Sequence, residues 1–249
     1  MPHPPRTPLR LIFSLALVLA LSGCAKLPES DRSDIRDPYE PYNRLSWAFN
    51  LEVDDWVLEP TAKGYRTLPQ FTQDALTNFA DWTGQPATAL NSALQGRGEN
   101  AMLAILNFLV NGVTLGLADL TKEGDDPTPT NFGDTLAAWY VPSGSYLMMP
   151  FIGPGTTRSH IGFVVDIFTN PLGFATTPAA DTVQLAATPI GIVTARGNNF
   201  DLFNDIKYNS LDPYARSRSL YFQFANPDGD TNETQASRDE DFDAFLEDQ

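Results

Sequence analysis

Side chains suited to nucleophilic or proton-transfer chemistry are scarce in this 249-residue sequence. It carries two histidines, His3 and His160, and a single cysteine, Cys24. Ser159 precedes His160 and Asp166 follows it, an arrangement that invites a nucleophile, base and orienter. No Gly-x-Ser-x-Gly elbow occurs in the chain, however, and His160 reads more simply as a surface or loop residue. Asp125-Asp126 lacks the spacing of a calcium loop. The residues therefore point to no catalytic group, no metal site and no cofactor, and a non-enzymatic protein is expected.

Cys24 has a different use. Arg6 and Arg10 precede an apolar run from Leu11 to Leu21 that is interrupted only by Ser14. That run falls short of the ~20 residues needed to cross a bilayer but fits a secretory h-region. Leu21-Ser22-Gly23-Cys24 then resembles the bacterial lipobox, a small-residue cleavage site before a thiol that accepts a diacylglyceryl group. Residues 1–23 are thus expected to be a signal peptide, and residues 24–36 the lipidated cysteine and a short polar tether. The alternative is an ordinary signal peptide with an incidental cysteine. Ala25 stands where lipoproteins retained in the inner membrane often carry Asp, so the resemblance implies the outer membrane of a Gram-negative bacterium, on its periplasmic side. Each buried acyl CH₂ contributes ~0.8 kcal/mol, so several chains anchor without help from charge.

Charge excludes other partners. Against 31 Asp and Glu stand 16 Lys and Arg, a net of −15, so no basic stripe is available for nucleic acid or for anionic lipid. The 42% hydrophobic content excludes disorder throughout. Residues 228–249 hold nine of the acids and one base, Arg238, which reads as a solvated, disordered tail. Phe242, Phe245 and Leu246 in that tail have the spacing of a small docking face.

The part between tether and tail, residues 37–227, reads as one mainly α-helical domain punctuated by proline and glycine. Asp37 is placed to cap a first helix, with Pro38 at its start and Glu40 closing a capping box. Tyr42, Leu45, Phe49, Val53 and Trp56 recur there at helical steps, while Asn43, Arg44, Asn50, Glu52 and Asp54 face elsewhere. Further helices are expected from Pro69 to Gly84 and from Pro86 to Gln95. A break is expected at Pro189, within the apolar piece Leu185–Ala195, and Phe132–Tyr140 is open between helix and strand. Asp212-Pro213 repeats the start signal of the first helix.

Glu99–Leu120 is the most apolar stretch beyond the leader. Asn100, Asn107, Asn111 and Thr114 fall on one narrow helical face with Ala104 and Ala118, and the rest of the circumference is greasy. Such a helix is buried in a protein core or in lipid. Either it is the centre of a bundle with satisfied asparagines, or its broad face meets acyl chains and the Asn stripe lines a wet passage.

An ordered series of residues is similar to the MlaA (VacJ) family of outer-membrane phospholipid-transport lipoproteins. It runs from Asp37-Pro38-Tyr39-Glu40-Pro41-Tyr42-Asn43-Arg44 through Tyr65-Arg66, Asn78-Phe79 and Leu94-Gln95-Gly96 to Phe108-Leu109-Val110-Asn111 and Asp119. Phe132-Gly133-Asp134-Thr135-Leu136, Gly153-Pro154, Arg158, Thr194, Arg196 and Asp212-Pro213-Tyr214 continue it. His160 is not part of that pattern. The resemblance implies a ring of short amphipathic helices lying in the inner leaflet of the outer membrane, around a central amphipathic channel. It implies association with trimeric porins, and transfer of mislocalised outer-leaflet phospholipid to a periplasmic phospholipid carrier protein. A porin-binding structural lipoprotein without lipid transfer is the alternative, and a lipid hydrolase relying on His160 is a third class.

Within that frame, Asn100, Asn107, Asn111 and Thr114 are candidate channel lining. Tyr140, Val141, Pro142, Ser143, Gly144, Ser145 and Tyr146 form a candidate gate loop, or else a plain surface turn. Phe49 is a candidate gate support, with core packing as its other reading. Arg44, Arg66, Arg158, Arg196 and Arg216 have the fork geometry for phosphate, or pair with the abundant carboxylates.

Overall fold

The computed structural model describes residues 37–121, 124–175 and 177–224. Cys24, the leader, the tether and the acidic tail lie outside the described residues. A helical rod comes first, built from α1 (Glu40–Val53), a π-helical turn (Asp54–Leu58) and α2 (Glu59–Arg66). α3 (Gln70–Leu94) and α4 (Gly98–Asn111) pack side by side, and α3 also packs against α7 (Pro178–Asn198). Between them in sequence come α5 (Phe132–Ala138), a two-stranded hairpin and α6 (Thr157–Thr169). The hairpin pairs β1 (Tyr146–Met149) with β2 (Gly153–Thr156) antiparallel, Tyr146 opposite Thr156. α8 (Phe200–Tyr208) and α9 (Pro213–Phe224) close the chain. The mainly helical expectation holds.

Three local expectations are corrected. Gly84 and Pro86 do not divide the second helix, because α3 runs through both, and α7 likewise runs through Pro189. Tertiary packing on α4 and α7 outweighs the roughly 3 kcal/mol that an interior proline costs. Asp37 does not cap α1. It is fully buried, where it accepts hydrogen bonds from Asn43 Nδ2 at 2.7 Å, from Arg218 at 2.7 Å and from the Tyr214 hydroxyl. The helix of the Glu99–Leu120 stretch ends at Asn111, where Gly112 begins a short 3₁₀ turn and Gly116 adopts φ +73°. A Cβ on Gly116 would lie 2.6 Å from Trp82, so this turn passes directly under the indole. Trp82 in turn stacks on Phe108 at 5.2 Å and donates to the Phe108 carbonyl at 2.9 Å, tying α3 to α4.

An aromatic cluster anchors the hairpin. Tyr146, Met148 and Tyr214 are buried together, with Trp47, Tyr221 and Phe222 packed around them. Elsewhere the interior is polar. Among the described residues, 17 polar or charged side chains are buried against 10 apolar ones. In a water-soluble domain that ratio is reversed, because large apolar side chains are the ones most often buried.

Candidate functional site

Polarity turned outside in is the feature from which any site must be built. Along α1 and the π-helical turn, Asn43 is only 2% exposed and Asp54 follows it inward, while Tyr42, Leu45, Phe49 and Trp56 face out, Trp56 at 80% exposure. Of the polar positions along this stretch, Asn43 and Asp54 are the buried ones, Asn50 is half-buried, and Arg44 and Glu52 stay exposed. On α4 the same reversal is clearer. Asn100, Ala104, Asn107 and Asn111 are buried, and Met102, Ile105, Leu106, Leu109 and Val110 are exposed.

The buried amides are held by specific partners, as buried polar groups require. Asn43 donates to the Tyr146 carbonyl at 3.2 Å and accepts from the Met148 amide at 2.9 Å, so it clamps β1 against α1. Asn91 donates to Asp166 at 2.9 Å and accepts from the Thr135 hydroxyl at 2.9 Å. Asp166 also accepts from the Phe132 amide at 2.9 Å, which joins α3, α5 and α6. These helices touch through small residues: a Cβ on Gly162 would sit 2.2 Å from the Gly133 nitrogen.

A cavity of about 430 Å³ opens between α3, α4 and the 119–129 segment. That volume is within the ~300–1,000 Å³ of small-molecule pockets. Asn107 and Asn111 line it, with Asp81, Gln85, Asp119 and Asp126. Neither asparagine offers a free amide to a wide lane. Asn107 donates to Thr121 at 2.9 Å, and Asn111 donates to Asn107 Oδ1 at 2.8 Å while accepting from the Leu120 amide at 2.7 Å. Asn100 and Thr114 lie outside the lining. Asn100 bonds Ser92 at 2.7 Å and the Thr128 backbone, and the Thr114 hydroxyl closes the turn after α4.

The segment Tyr140–Tyr146 is not the loose turn its composition suggests. Tyr146 is a fully buried core residue of β1, which removes it from any gate. The carbonyls of Val141, Ser143 and Ser145 accept from the Arg158 side chain at 2.7 Å, the Arg158 amide at 3.0 Å and the Thr157 amide at 3.0 Å. Tyr140 alone in that stretch stands almost wholly clear, 94% exposed with φ +60°. Phe49 packs edge-on against Phe151 at 4.9 Å, and the adjacent Asn50 bonds Met149 and Phe151. Phe49 thus braces the hairpin's own turn, one element beyond the 140–146 segment.

The arginines meet protein partners. Arg44 pairs with Glu40 and Asp212, Arg66 with Asp201, and Arg216 with Asp205. Arg158 is spent on Val141. Arg196 is 2% exposed and forks onto Asp54, so it cannot reach a headgroup. Asp54 belongs to a wider buried network. Burial works against its carboxylate, but bonds from Arg196 and Lys207 prevail and hold its pKa below the usual value. Lys207 also bonds Glu59, and with Lys63 it holds the Glu59 carboxyl down to about 2. The resulting cluster of Asp54, Asp55 and Glu59 is neutralised by cations already in place.

The Ser159–His160–Asp166 trio is not assembled. Ser159 completes a capping box with Thr156 at the start of α6, and His160 Nε2 pairs with the Leu147 carbonyl at 3.1 Å. Burial lowers the His160 pKa, with the Leu147 bond opposing. Asp166 is committed to Asn91 and Phe132. Asp81 and Gln85 in the cavity wall carry no motif of their own, whereas Asp119 belongs to the ordered series that resembles the family. Only the helical spacing of Asp81 and Gln85 from Asn78 and Trp82 marks them in the sequence.

Comparison with known proteins agrees with this architecture. A family model described as "MlaA lipoprotein" matches residues 35–227. An uncharacterised protein of Rickettsia bellii is 34% identical over 199 residues, covering 76% of this chain and 75% of its own. The "Intermembrane phospholipid transport system lipoprotein MlaA" of Haemophilus influenzae is 28% identical over 222 residues, 86% of this chain and 87% of its own. A solved structure described as "Structural basis for maintenance of bacterial outer membrane lipid asymmetry" superposes with a TM-score of 0.63 at 28% identity, covering 75% of this chain and 96% of that one. The buried-polar helices of residues 37–224 and the ordered motifs along them are those of a shared fold: this chain belongs to the MlaA lipoprotein family.

Proposed function

We propose that this chain is an outer-membrane lipoprotein, anchored through Cys24 with its first 23 residues removed, that moves phospholipid between membranes. In this reading it takes mislocalised phospholipid from the outer leaflet and passes it to a periplasmic carrier protein, maintaining lipid asymmetry. A partnership with trimeric porins would hold it at the outer membrane, and a ring of helices would enclose the route. The Haemophilus influenzae relative, named for an intermembrane phospholipid transport system, supports the transport role. The solved relative, described in terms of outer-membrane lipid asymmetry, supports the purpose of that transport.

The observation that carries the proposal is the inverted polarity of α1 and α4, together with the polar cavity behind α4. An apolar exterior is stable in a lipid leaflet, whereas a headgroup needs a polar enclosure. Among the described residues no helix is long and apolar enough to cross a membrane. Helices lying in one leaflet satisfy both facts. The arginine pairings move the expected headgroup contacts from cations to Gln85 and the carboxylates of the cavity.

The test is reconstitution of the lipidated protein with a labelled phospholipid donor membrane and a soluble lipid-binding acceptor. Transfer that depends on the protein supports the reading. Porin association without transfer would leave a scaffold, and release of fatty acid that stops in His160→Ala would make the chain a hydrolase.

A further inference from the structure

Two hollows meet at Gln85. One is the polar cavity described above. The other is a groove of about 380 Å³ on the joined faces of α3 and α4, walled by Pro86, Leu90, Ala101, Ile105 and Leu109 among others. Among the described residues, Gln85 is the one polar member of that groove's wall, and it lines the cavity as well. Its side chain is 9% exposed, and its Oε1 has no hydrogen-bond partner. An amide oxygen buried in that state costs ~1–3 kcal/mol and calls for a donor.

The rest of the cavity wall sets the charge of that donor. Asp81, Asp119 and Asp126 line it, and among the described residues no lysine or arginine does. Asp119 is fixed by bonds from the Thr121 amide and hydroxyl at 3.0 and 2.8 Å, while Asp81 and Asp126 are exposed on the rim. Burial pushes the Asp81 pKa up, and the neighbouring carboxylates of Asp119 and Asp126 push it the same way. An anionic group entering here would meet three like charges. A cationic N–H donor would relieve them and satisfy Gln85.

We infer that the polar cavity receives the primary ammonium headgroup of a zwitterionic aminophospholipid, with one acyl chain laid in the adjoining apolar groove and Gln85 at the boundary. This deepens, and rests on, the reading of the chain as a phospholipid carrier. A quaternary ammonium keeps the charge but has no N–H to give Gln85, and an anionic glycerol headgroup lacks the charge altogether. The affinity order is therefore phosphatidylethanolamine, then phosphatidylcholine, then phosphatidylglycerol.

The experiment offers the full lipidated protein, in neutral detergent with EDTA, equal amounts of the three dioleoyl lipids, and quantifies what co-purifies by mass spectrometry. Phosphatidylethanolamine should be retained about tenfold over phosphatidylglycerol, which corresponds to ~1.4 kcal/mol. In Asp81→Asn with Asp126→Asn that ratio should fall to about twofold or less, because both rim carboxylates are gone. Gln85→Leu should merge phosphatidylethanolamine with phosphatidylcholine; should that variant not fold, Gln85→Glu keeps the acceptor and should widen their separation. Equal retention of all three lipids by the unaltered protein overturns the headgroup assignment and leaves lipid carriage standing. Retention of none overturns carriage itself. A preference that appears only when calcium replaces the EDTA would make the cavity a cation site and overturn the inference, as would displacement by soluble glycerophosphoethanolamine as effective as by the lipid.

Discussion

Arg196 on α7 grips Asp54 in the π-helical turn through two bonds, Nε to Oδ1 at 2.7 Å and Nη2 to Oδ2 at 3.2 Å. The pair lies in the interior, 142 residues apart in sequence, and Arg196 adds a bond to Asn204 at 2.7 Å. Lys207 reaches the same Asp54 carboxylate at 2.8 Å. The link joins the first helical rod to the last third of the chain, so the fold's closure depends on it.

Removing Arg196 takes away one of the two cations that hold the Asp54 carboxylate and leaves Lys207 as the other. Arg196→Met is therefore expected to cost about 1.5–3 kcal/mol of stability. Arg196→Lys should recover only part of this, since an ammonium does not make the two-point fork. Chemical denaturation in detergent, followed by circular dichroism, measures both. A change under ~1 kcal/mol for Arg196→Met, the range of an exposed pair, would show the link to be dispensable.

Glu59 sets an acid limit. Its ordinary value is 4.5, and bonds from Lys207 and Lys63 hold it at about 2 in the fold. A carboxylate depressed on folding contributes stability that is complete above its unfolded pKa and lost as pH falls through the folded one. Asp54, also held low, acts in the same direction. The melting midpoint should therefore decline as pH drops from about 4.5 towards 2. Glu59→Gln should be less stable near neutral pH and show a shallower decline, which a pH series of melting curves would detect.

Asn43 supplies three bonds from one side chain, to Asp37, to the Tyr146 carbonyl and from the Met148 amide. Asn43→Ala leaves a buried carboxylate and two strand groups short of partners, at about 1–3 kcal/mol for a group left unsatisfied. A loss of about 2 kcal/mol or more is expected, with loosening of the hairpin seen as faster amide exchange at Met148. The half-buried Asn50, on the same helix, should cost less than half as much when changed to Ala.

Lipid contact by the exposed apolar faces has a direct readout. Leu109 and Trp56 are solvent-facing at 62% and 80%. A lysine or glutamate placed there would have to enter the acyl region, where a charge costs a few kcal/mol at depth. Leu109→Lys with Trp56→Glu should leave the hydrogen-bonded interior intact but lower flotation with phospholipid vesicles about tenfold or more. To isolate this effect, the assay uses protein lacking the acyl anchor. Equal flotation of both forms would place these faces away from lipid.

How much of the fold is legible in the sequence depends on what surrounds the chain. The mainly helical content and the narrow polar stripe of α4 from Asn100 to Asn111 follow from local rules, whereas several helix ends do not. The direction each stripe faces does not follow, because periodicity is blind to whether water or lipid lies outside. Tyr42, Leu45 and Trp56 make the same pattern whether they face a core or a membrane. Pro86 and Pro189 mislead for a related reason: a break signal is a local cost, and α3 and α7 continue through it where they pack on other helices. Gln85 and Asp81 are silent because a cavity wall assembled from three segments leaves no mark on any one of them. The segment 140–146 looks free by composition, yet its carbonyls are claimed by Thr157 and Arg158 in the next helix.

The polar interior has a thermal consequence. Unfolding an ordinary domain hydrates new hydrocarbon and raises the heat capacity by ~12–15 cal/mol/K per residue, whereas newly hydrated amide and carboxylate surface lowers it. Opening this molecule uncovers Asn43, Asn91, Asn107, Asn111 and Thr135 more than it uncovers leucines. Its stability curve is accordingly expected to be flatter than that of an ordinary domain of its size, which calorimetry would show as a smaller heat-capacity change on unfolding.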